Sequence, residues 1–519
     1  MERGTAQPSS KLGYDVADRG DLHKLHTKAV GLIGVLFLTV TGAAPISAML
    51  FNVPIAVGYG NGIGAPASFL VATIILLIFS VGYAAMASKV TAVGGFYSFI
   101  SHGLGRELGM GFGFGSVVAY SVFEASLAGG FAYFANLDIK QWMGIDIPWP
   151  ILSLIMIVGI SILTFFDVKV STAVLGVALI GEVAILTIFA IGVFTNSGAH
   201  VDLAAINPFN AFRGFDAHEN DAHTKLAAGA AGIGLFFAFW SWVGFEMAPN
   251  YAEESKDPKR IVPLSLYVSV LALGVFYVIV SWAAVSGYAK IDDAIGMAQT
   301  NSANFFFDPA TRLIGNWVTV LMSILILSGS FACGMAFHNT AARYLYSLGR
   351  ERVLPAALGK THPVHRTPHI ASFTQSVIAA LIILAFAIRE GTNDPTTQAY
   401  LEVYGLMALV GTILIVTSQA VVSLAIIAYF RKHHPQDHHW WKTMIAPAIA
   451  FVTQAYVVYL CVANMDFLGG GLRFADYIIW IDIAVLVIGI LGAFYIKASD
   501  PEKYDKIGRL IYEGVPERP

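Results

Sequence analysis

Three carboxylates sit where a charge is costly. Glu246 ends the run Leu235-Phe236-Phe237-Ala238-Phe239-Trp240-Ser241-Trp242-Val243-Gly244-Phe245. Glu182 stands in Leu179-Ile180-Gly181-Glu182-Val183-Ala184, and Glu124 lies near Tyr120 and Phe123 in a glycine-rich run. An acidic residue at a bilayer centre costs about 2.5–3.5 kcal/mol on insertion scales, so its presence there points to a substrate, ion or proton path. Glu182 has no basic residue in its own run. A carboxyl so placed can carry a proton or accept an amine; a structural hydrogen bond to another helix is the plainer reading. Glu124 reads as a supporting partner rather than a ligand, and His338, at the end of another apolar run, as a packing histidine with its hydrogen bonds satisfied.

Enzyme chemistry has little to stand on. No nucleophile–base pair or metal-ligand spacing is recognisable. Cys333 and Cys461 lie inside apolar runs and read as packed thiols. His433-His434-Pro435-Gln436-Asp437-His438-His439 has the composition of a metal tract but reads as a solvated loop. No cofactor and no metal are expected.

The elements that must position the carboxylates are membrane spans. Only 13% of the 519 residues are charged and 56% are hydrophobic, against about 25% charged in a soluble domain. The net charge of −3 argues against nucleic acid as a partner. A span needs roughly 20 apolar residues. Twelve such runs are read, at 30–58, 66–88, 106–135, 149–167, 171–195, 228–252, 262–289, 312–342, 368–388, 399–430, 442–465 and 474–497. The fold expected is an all-α integral membrane protein. The first run is too long for the apolar part of a signal peptide, so no cleavage is expected. The linker at 196–227 is expected to cap one face.

Spans 1 and 6 are interrupted. Span 1 contains Thr41-Gly42-Ala43-Ala44-Pro45-Ile46-Ser47, and span 6 contains Gly244 and Pro249. Proline removes one helical hydrogen bond, and irregular backbone at membrane depth is tolerated only beside protein or a cavity. Matching breaks in two halves of a chain point to a binding site between inverted repeats. After span 2, Gly94-Gly95-Phe96-Tyr97 suits a short interfacial helix. Asp167 and Lys169 read as a solvated turn, and spans 11 and 12, where Asp482 stands alone, as peripheral.

Basic residues set the orientation. Lys140, Arg213, Lys225, Lys290, Arg312, Arg389 and Arg473 fall on one side, and the remaining 24 of the 31 Lys and Arg on the other. Both termini are therefore expected in the cytoplasm, with the chain in the cytoplasmic (inner or plasma) membrane. The organisation expected is a tail at 1–29, a ten-helix core at 30–430 (repeats 30–195 and 228–430), two further helices at 431–497 and a tail at 498–519.

Several of these segments resemble the amino acid–polyamine–organocation superfamily of transporters, which includes the bacterial amino acid permeases. They are Trp240-Ser241-Trp242-Val243-Gly244-Phe245-Glu246, Lys256-Asp257-Pro258-Lys259-Arg260-Ile261-Val262-Pro263, Gly94-Gly95-Phe96-Tyr97, and Ala341-Ala342-Arg343-Tyr344-Leu345-Tyr346-Ser347-Leu348-Gly349-Arg350. The resemblance covers roughly 28–430. It implies a five-plus-five inverted repeat with two added helices and a substrate held between the broken spans 1 and 6. It implies that Gly42, Ala43 and Ala44 replace the Gly-Ser-Gly whose amides hold a substrate carboxylate. Trp240 matches the aromatic gate, Phe337 stands where relatives have a second tryptophan, and Ser241, Gly244 and Glu246 belong to the span 6 break. Glu182 falls where some proton-coupled relatives carry a lysine, which reverses the charge there.

The function expected is a secondary transporter for amino acids or related amines, with protons as the coupling partner through Glu182. A polyamine- or amine-specific importer, or a substrate–product exchanger, stays open beside it. A channel would need a filter motif or polar rings, and neither is repeated here.

Overall fold

A computed structural model describes residues 30–90, 94–165, 168–221, 223–252, 255–365, 367–468 and 474–508. The tail at 1–29, the end of the chain beyond 508, Asp167, Arg473 and the side chain of Lys169 lie outside the described residues.

Apolar runs become helices because lipid offers no partner to a backbone amide or carbonyl. In chain order the helices are α1 (Leu32–Ala43), α2 (Ala65–Ala87), α3 (Gly95–Gly103), α4 (Arg106–Met143), α5 (Trp149–Phe165), α6 (Val168–Thr195), α7 (Ala231–Trp240) and α8 (Pro258–Ser286). They continue with α9 (Ile291–Thr300), α10 (Asn304–Leu313), α11 (Asn316–Arg350), α12 (His369–Glu390), α13 (Met407–His433), α14 (Ala446–Ala463), α15 (Ala475–Ser499) and α16 (Pro501–Lys506). Nine helical runs among the described residues are long and apolar enough to cross a membrane. The first, Leu32–Ala87, is 56 residues long and takes in the first two expected spans. The shorter apolar helices Trp149–Phe165 and Leu179–Thr195 stand at the fourth and fifth.

Burial separates centre from rim. The most apolar stretch of Ala231–Tyr251 is 94% buried and that of Arg106–Met143 is 83% buried, against 22% for Ala475–Ser499. α4 is the hub and packs on α11, α13 and α15. α5 turns Ile151, Ile155, Val158 and Ile162 outward, as a helix facing lipid must.

Two local features depart from the all-α expectation or add to it. The linker carries a two-residue ladder, β1 (His218–Glu219) against β2 (Lys225–Leu226). It is pinned to the end of span 1, where Asn61 Nδ2 donates to Ala211 O at 2.9 Å and Arg213 O at 2.8 Å. The connection at 290–311 forms the short helices α9 and α10. Their stripes are too short for a membrane period to register, but Asp292 and Asp293 in the first turn of α9 suit a helix N-terminus.

Candidate functional site

The break in span 1 follows from Pro45. Proline disfavours a right-handed helical conformation in the residue before it, and Ala44 takes φ 41°, ψ 79°. That left-handed conformation costs a non-glycine residue roughly 1–2 kcal/mol. The Ala44 N–H still closes α1, lying 3.1 Å from both Val40 O and Thr41 O. Beyond the break come Pro45–Ser47 and two stretches of wide i→i+5 turns, Ala48–Asn52 and Ala56–Asn61. In span 6, α7 ends at Trp240, Gly244 adopts φ 128°, and a 3-10 helix runs over Phe245–Tyr251.

The two breaks touch. A Cβ built on Gly244 would lie 2.4 Å from Gly42 C and 2.6 Å from Ala43 N. Between them is a cavity of about 20 Å³, lined by Gly42, Ala43, Ala44, Trp240, Ser241 and Phe337 among others. That volume holds about one water molecule, so in this state the cavity is closed around no more than that.

Eight further lining residues escaped the sequence reading, among them Ser47, Asn52, Cys333 and Tyr404. Trp240 Nε1 donates to Tyr404 Oη at 2.8 Å, Tyr404 donates to Asn52 Oδ1 at 2.5 Å, and Asn52 Nδ2 donates to Ser241 Oγ at 2.8 Å. Ser241 Oγ donates in turn to Phe237 O at 2.8 Å. One hydrogen-bonded chain therefore ties span 1, span 6 and the helical stretch Pro395–Leu406 that carries Tyr404. An uncharged amide two residues before Pro54, inside an apolar run, was the available signal for Asn52. The Trp240 ring stacks on Phe123 with centroids 4.4 Å apart and lies 6.0 Å from Phe337.

Gly244 and Glu246 are not among the lining residues. Glu246 is 1% exposed. Its Oε2 accepts from Gly244 N at 2.9 Å and its Oε1 from Tyr120 Oη at 2.8 Å. Its carboxylate thus holds the span 6 break to α4. Removing it strands two buried donors, at about 1–3 kcal/mol each. Glu246→Ala is therefore expected to lower the melting temperature in detergent well below that of Glu246→Gln, which keeps one acceptor. Equal melting temperatures would contradict this bracing role.

Glu182 lies behind the span 1 break. It is fully buried, and its Oε2 accepts from Ile46 N at 3.1 Å. Pro45 has no N–H, so Ile46 offers the first free amide after the break. Among the described residues the second oxygen, Oε1, accepts no hydrogen bond.

Glu124 and His338 form a separate buried network. His338 Nδ1 is 3.0 Å from Glu124 Oε2, and its Nε2 is 2.7 Å from Ser372 Oγ and 3.2 Å from Thr164 Oγ1. Gln375 Nε2 donates to the same glutamate oxygen at 2.8 Å. These bonds join α4, α5, α11 and α12 away from the small cavity. Both cysteines are buried and free. Among the described residues no group of three His, Cys, Asp or Glu side chains is placed to hold a metal ion.

A second, much larger cavity of about 890 Å³ is lined in part by Tyr133, Phe134, Phe237, Tyr400 and Phe307. Phe51 separates the two, stacking on Phe134 at 5.1 Å and meeting Tyr404 edge-on at 4.8 Å.

The sequence profile of the amino acid permease family matches residues 30–493. The chain is 21% identical to the branched-chain amino acid permease of Bacillus subtilis, over 90% of each chain. It is 23% identical to the methylthioribose transporter of the same organism, over 94% of this chain and 95% of that one. Against the low-affinity putrescine importer of Escherichia coli K12 the identity is 26%, over 61% of this chain and 66% of the importer. These relatives are carriers rather than enzymes, and with its array of membrane-length helices the chain belongs to the amino acid permease family of integral membrane proteins.

Proposed function

We propose that the chain is a secondary transporter that moves amino acids or related amines across the cytoplasmic membrane by alternating access. The observation that carries this reading is the meeting of two broken helices around a small cavity beside the Trp240 ring. In this reading the chain is twelve spans arranged as a five-plus-five inverted repeat (30–195 and 228–430) with two added helices. The excess of Lys and Arg on one set of loops supports cytoplasmic termini. Gly42, Ala43, Ala44, Trp240, Ser241 and Phe337 form the binding site, Gly244 and Glu246 shape it, and Glu182 carries the coupling proton.

Trp240 is the lid. A cation stacked on an aromatic face gains about 0.5–2 kcal/mol, which is about two- to thirtyfold in apparent affinity. Trp242, in contrast, packs against Tyr277 at 5.2 Å and is 1% exposed. Uptake kinetics in proteoliposomes are expected to show a larger rise in KM for Trp240→Ala than for Trp242→Ala, whose main effect is on stability. The reverse order would place the substrate on the other face of α7.

One observation favours a narrower reading, an importer of amines. The first free amide beyond the span 1 break is occupied by the protein's own carboxylate at Glu182. A substrate without a carboxylate would leave that bond in place, whereas an amino acid needs another donor for its carboxylate.

A further inference from the structure

The wide cavity is lined by two carboxylates as well as by rings. Asp138 is 6% exposed and Glu402 is 5% exposed, and both line it. Among the described residues Asp138 Oδ2 and Glu402 Oε2 accept no hydrogen bond. The nearby cations are engaged elsewhere: Lys140 Nζ is 2.8 Å from Asp146, and Arg389 is 2.6 Å from Glu390. A buried carboxylate without a counter-charge is costly, and a cation brought into the cavity would supply one. Beside the two carboxylates, Tyr133 and Tyr400 stack at 4.7 Å, and Tyr400 stacks on Tyr404 at 5.6 Å. Tyr404 belongs to the small cavity. The stacked rings of Tyr133, Tyr400 and Tyr404 therefore form an aromatic wall from the wide cavity to the hydroxyl that accepts from Trp240 Nε1.

We infer that Asp138 and Glu402, in the cavity walled by the Tyr133–Tyr400 stack, form an outer site for primary-amine cations. The outer site extends the transporter reading given above and rests on it for its purpose, though not for its existence. An amine held here is concentrated beside the closed central cavity before the lid opens.

The test is equilibrium binding of the radiolabelled four-carbon alkyl diamine to purified full-length protein in detergent, at neutral pH and constant ionic strength set with choline chloride. Wild type is expected to bind it saturably. The Asp138→Asn/Glu402→Gln protein is expected to bind about tenfold more weakly or worse, since each carboxylate supplies a charge-assisted contact. Gly31→Ala, outside both cavities and with nothing within 4 Å of its new methyl, is expected to keep wild-type affinity, and replacing choline by sodium is expected not to displace the diamine. Monodispersity and melting temperature are followed for each variant. If the double variant does not fold, Asp138→Asn and Glu402→Gln are measured singly, each with a several-fold loss expected. Absence of saturable binding to wild type, wild-type affinity in the carboxylate variants, or an equal loss of binding in Gly31→Ala would each overturn the inference. Uptake is measured separately on the same preparations: binding without transport of any amino acid or amine sinks the transporter reading alone, and transport without diamine binding sinks the outer site alone.

Discussion

Gly244→Ala is expected to reach the membrane and to lose about ten- to hundredfold in transport rate. Two effects add. A φ of 128° is strained for any residue with a Cβ, at about 1–3 kcal/mol, and that range corresponds to about five- to 150-fold. The new methyl would also lie 2.4 Å from Gly42 C, against backbone that a rotamer change cannot move. Relief requires the two breaks to separate, which alters the lining at Gly42 and Ala43 and shifts Ser241 off Asn52. Gly31→Ala is the control, since a Cβ there meets nothing within 4 Å and its φ of −88° is ordinary. The measurement is initial uptake rate in proteoliposomes at matched protein content. A Gly244→Ala protein as active as Gly31→Ala would show that contact between the breaks is not needed for the cycle.

Glu182→Gln is expected to abolish accumulation driven by a pH gradient while leaving exchange of substrate across the membrane. Glutamine can still offer an oxygen to Ile46 N–H, so the break keeps its brace, but it cannot take up and release a proton. Glu182→Ala should do more. It leaves the Ile46 amide without an acceptor, about 1–3 kcal/mol, and should lower the melting temperature and slow both accumulation and exchange. The two substitutions thus separate charge from shape. Sodium dependence of wild-type uptake at constant pH would assign the coupling to another ion, and glutamate would then be a structural acceptor for the span 1 break.

Much of this arrangement is legible in the residues. Pro45 after three small residues announces one break, and Gly244 with Pro249 announces the other. Each acts through local backbone chemistry that sequence carries directly. Apolar runs of sufficient length mark the helices because lipid demands it. What is not legible depends on distant partners. Glu182 in isolation says only that something must satisfy it; that the partner is the Ile46 amide, 136 positions away, is a tertiary fact. Glu246 looks like a ligand and instead binds the backbone two residues before it. Asn52 in span 1 and Tyr404 in Pro395–Leu406 stand in stretches of i→i+5 turns, which shift the helical face and cannot be counted from a 3.6-residue period, and Cys333 reaches the small cavity through the packing of α11. His338 and Glu124 each read as supporting groups, and the structure adds that they support each other. The linker's β ladder has strands of two residues, shorter than any periodicity can reveal.

The central claim, that this chain couples substrate movement to protons through Glu182, is tested most directly by uptake into proteoliposomes of purified protein under an imposed pH gradient, with amino acids and amines as candidate substrates. The account predicts saturable uptake that rises as the external pH falls and the gradient steepens, independent of sodium, and lost in Glu182→Gln while exchange persists. Uptake that ignores the gradient, or a Glu182→Gln protein with the same dependence on it, would contradict the account.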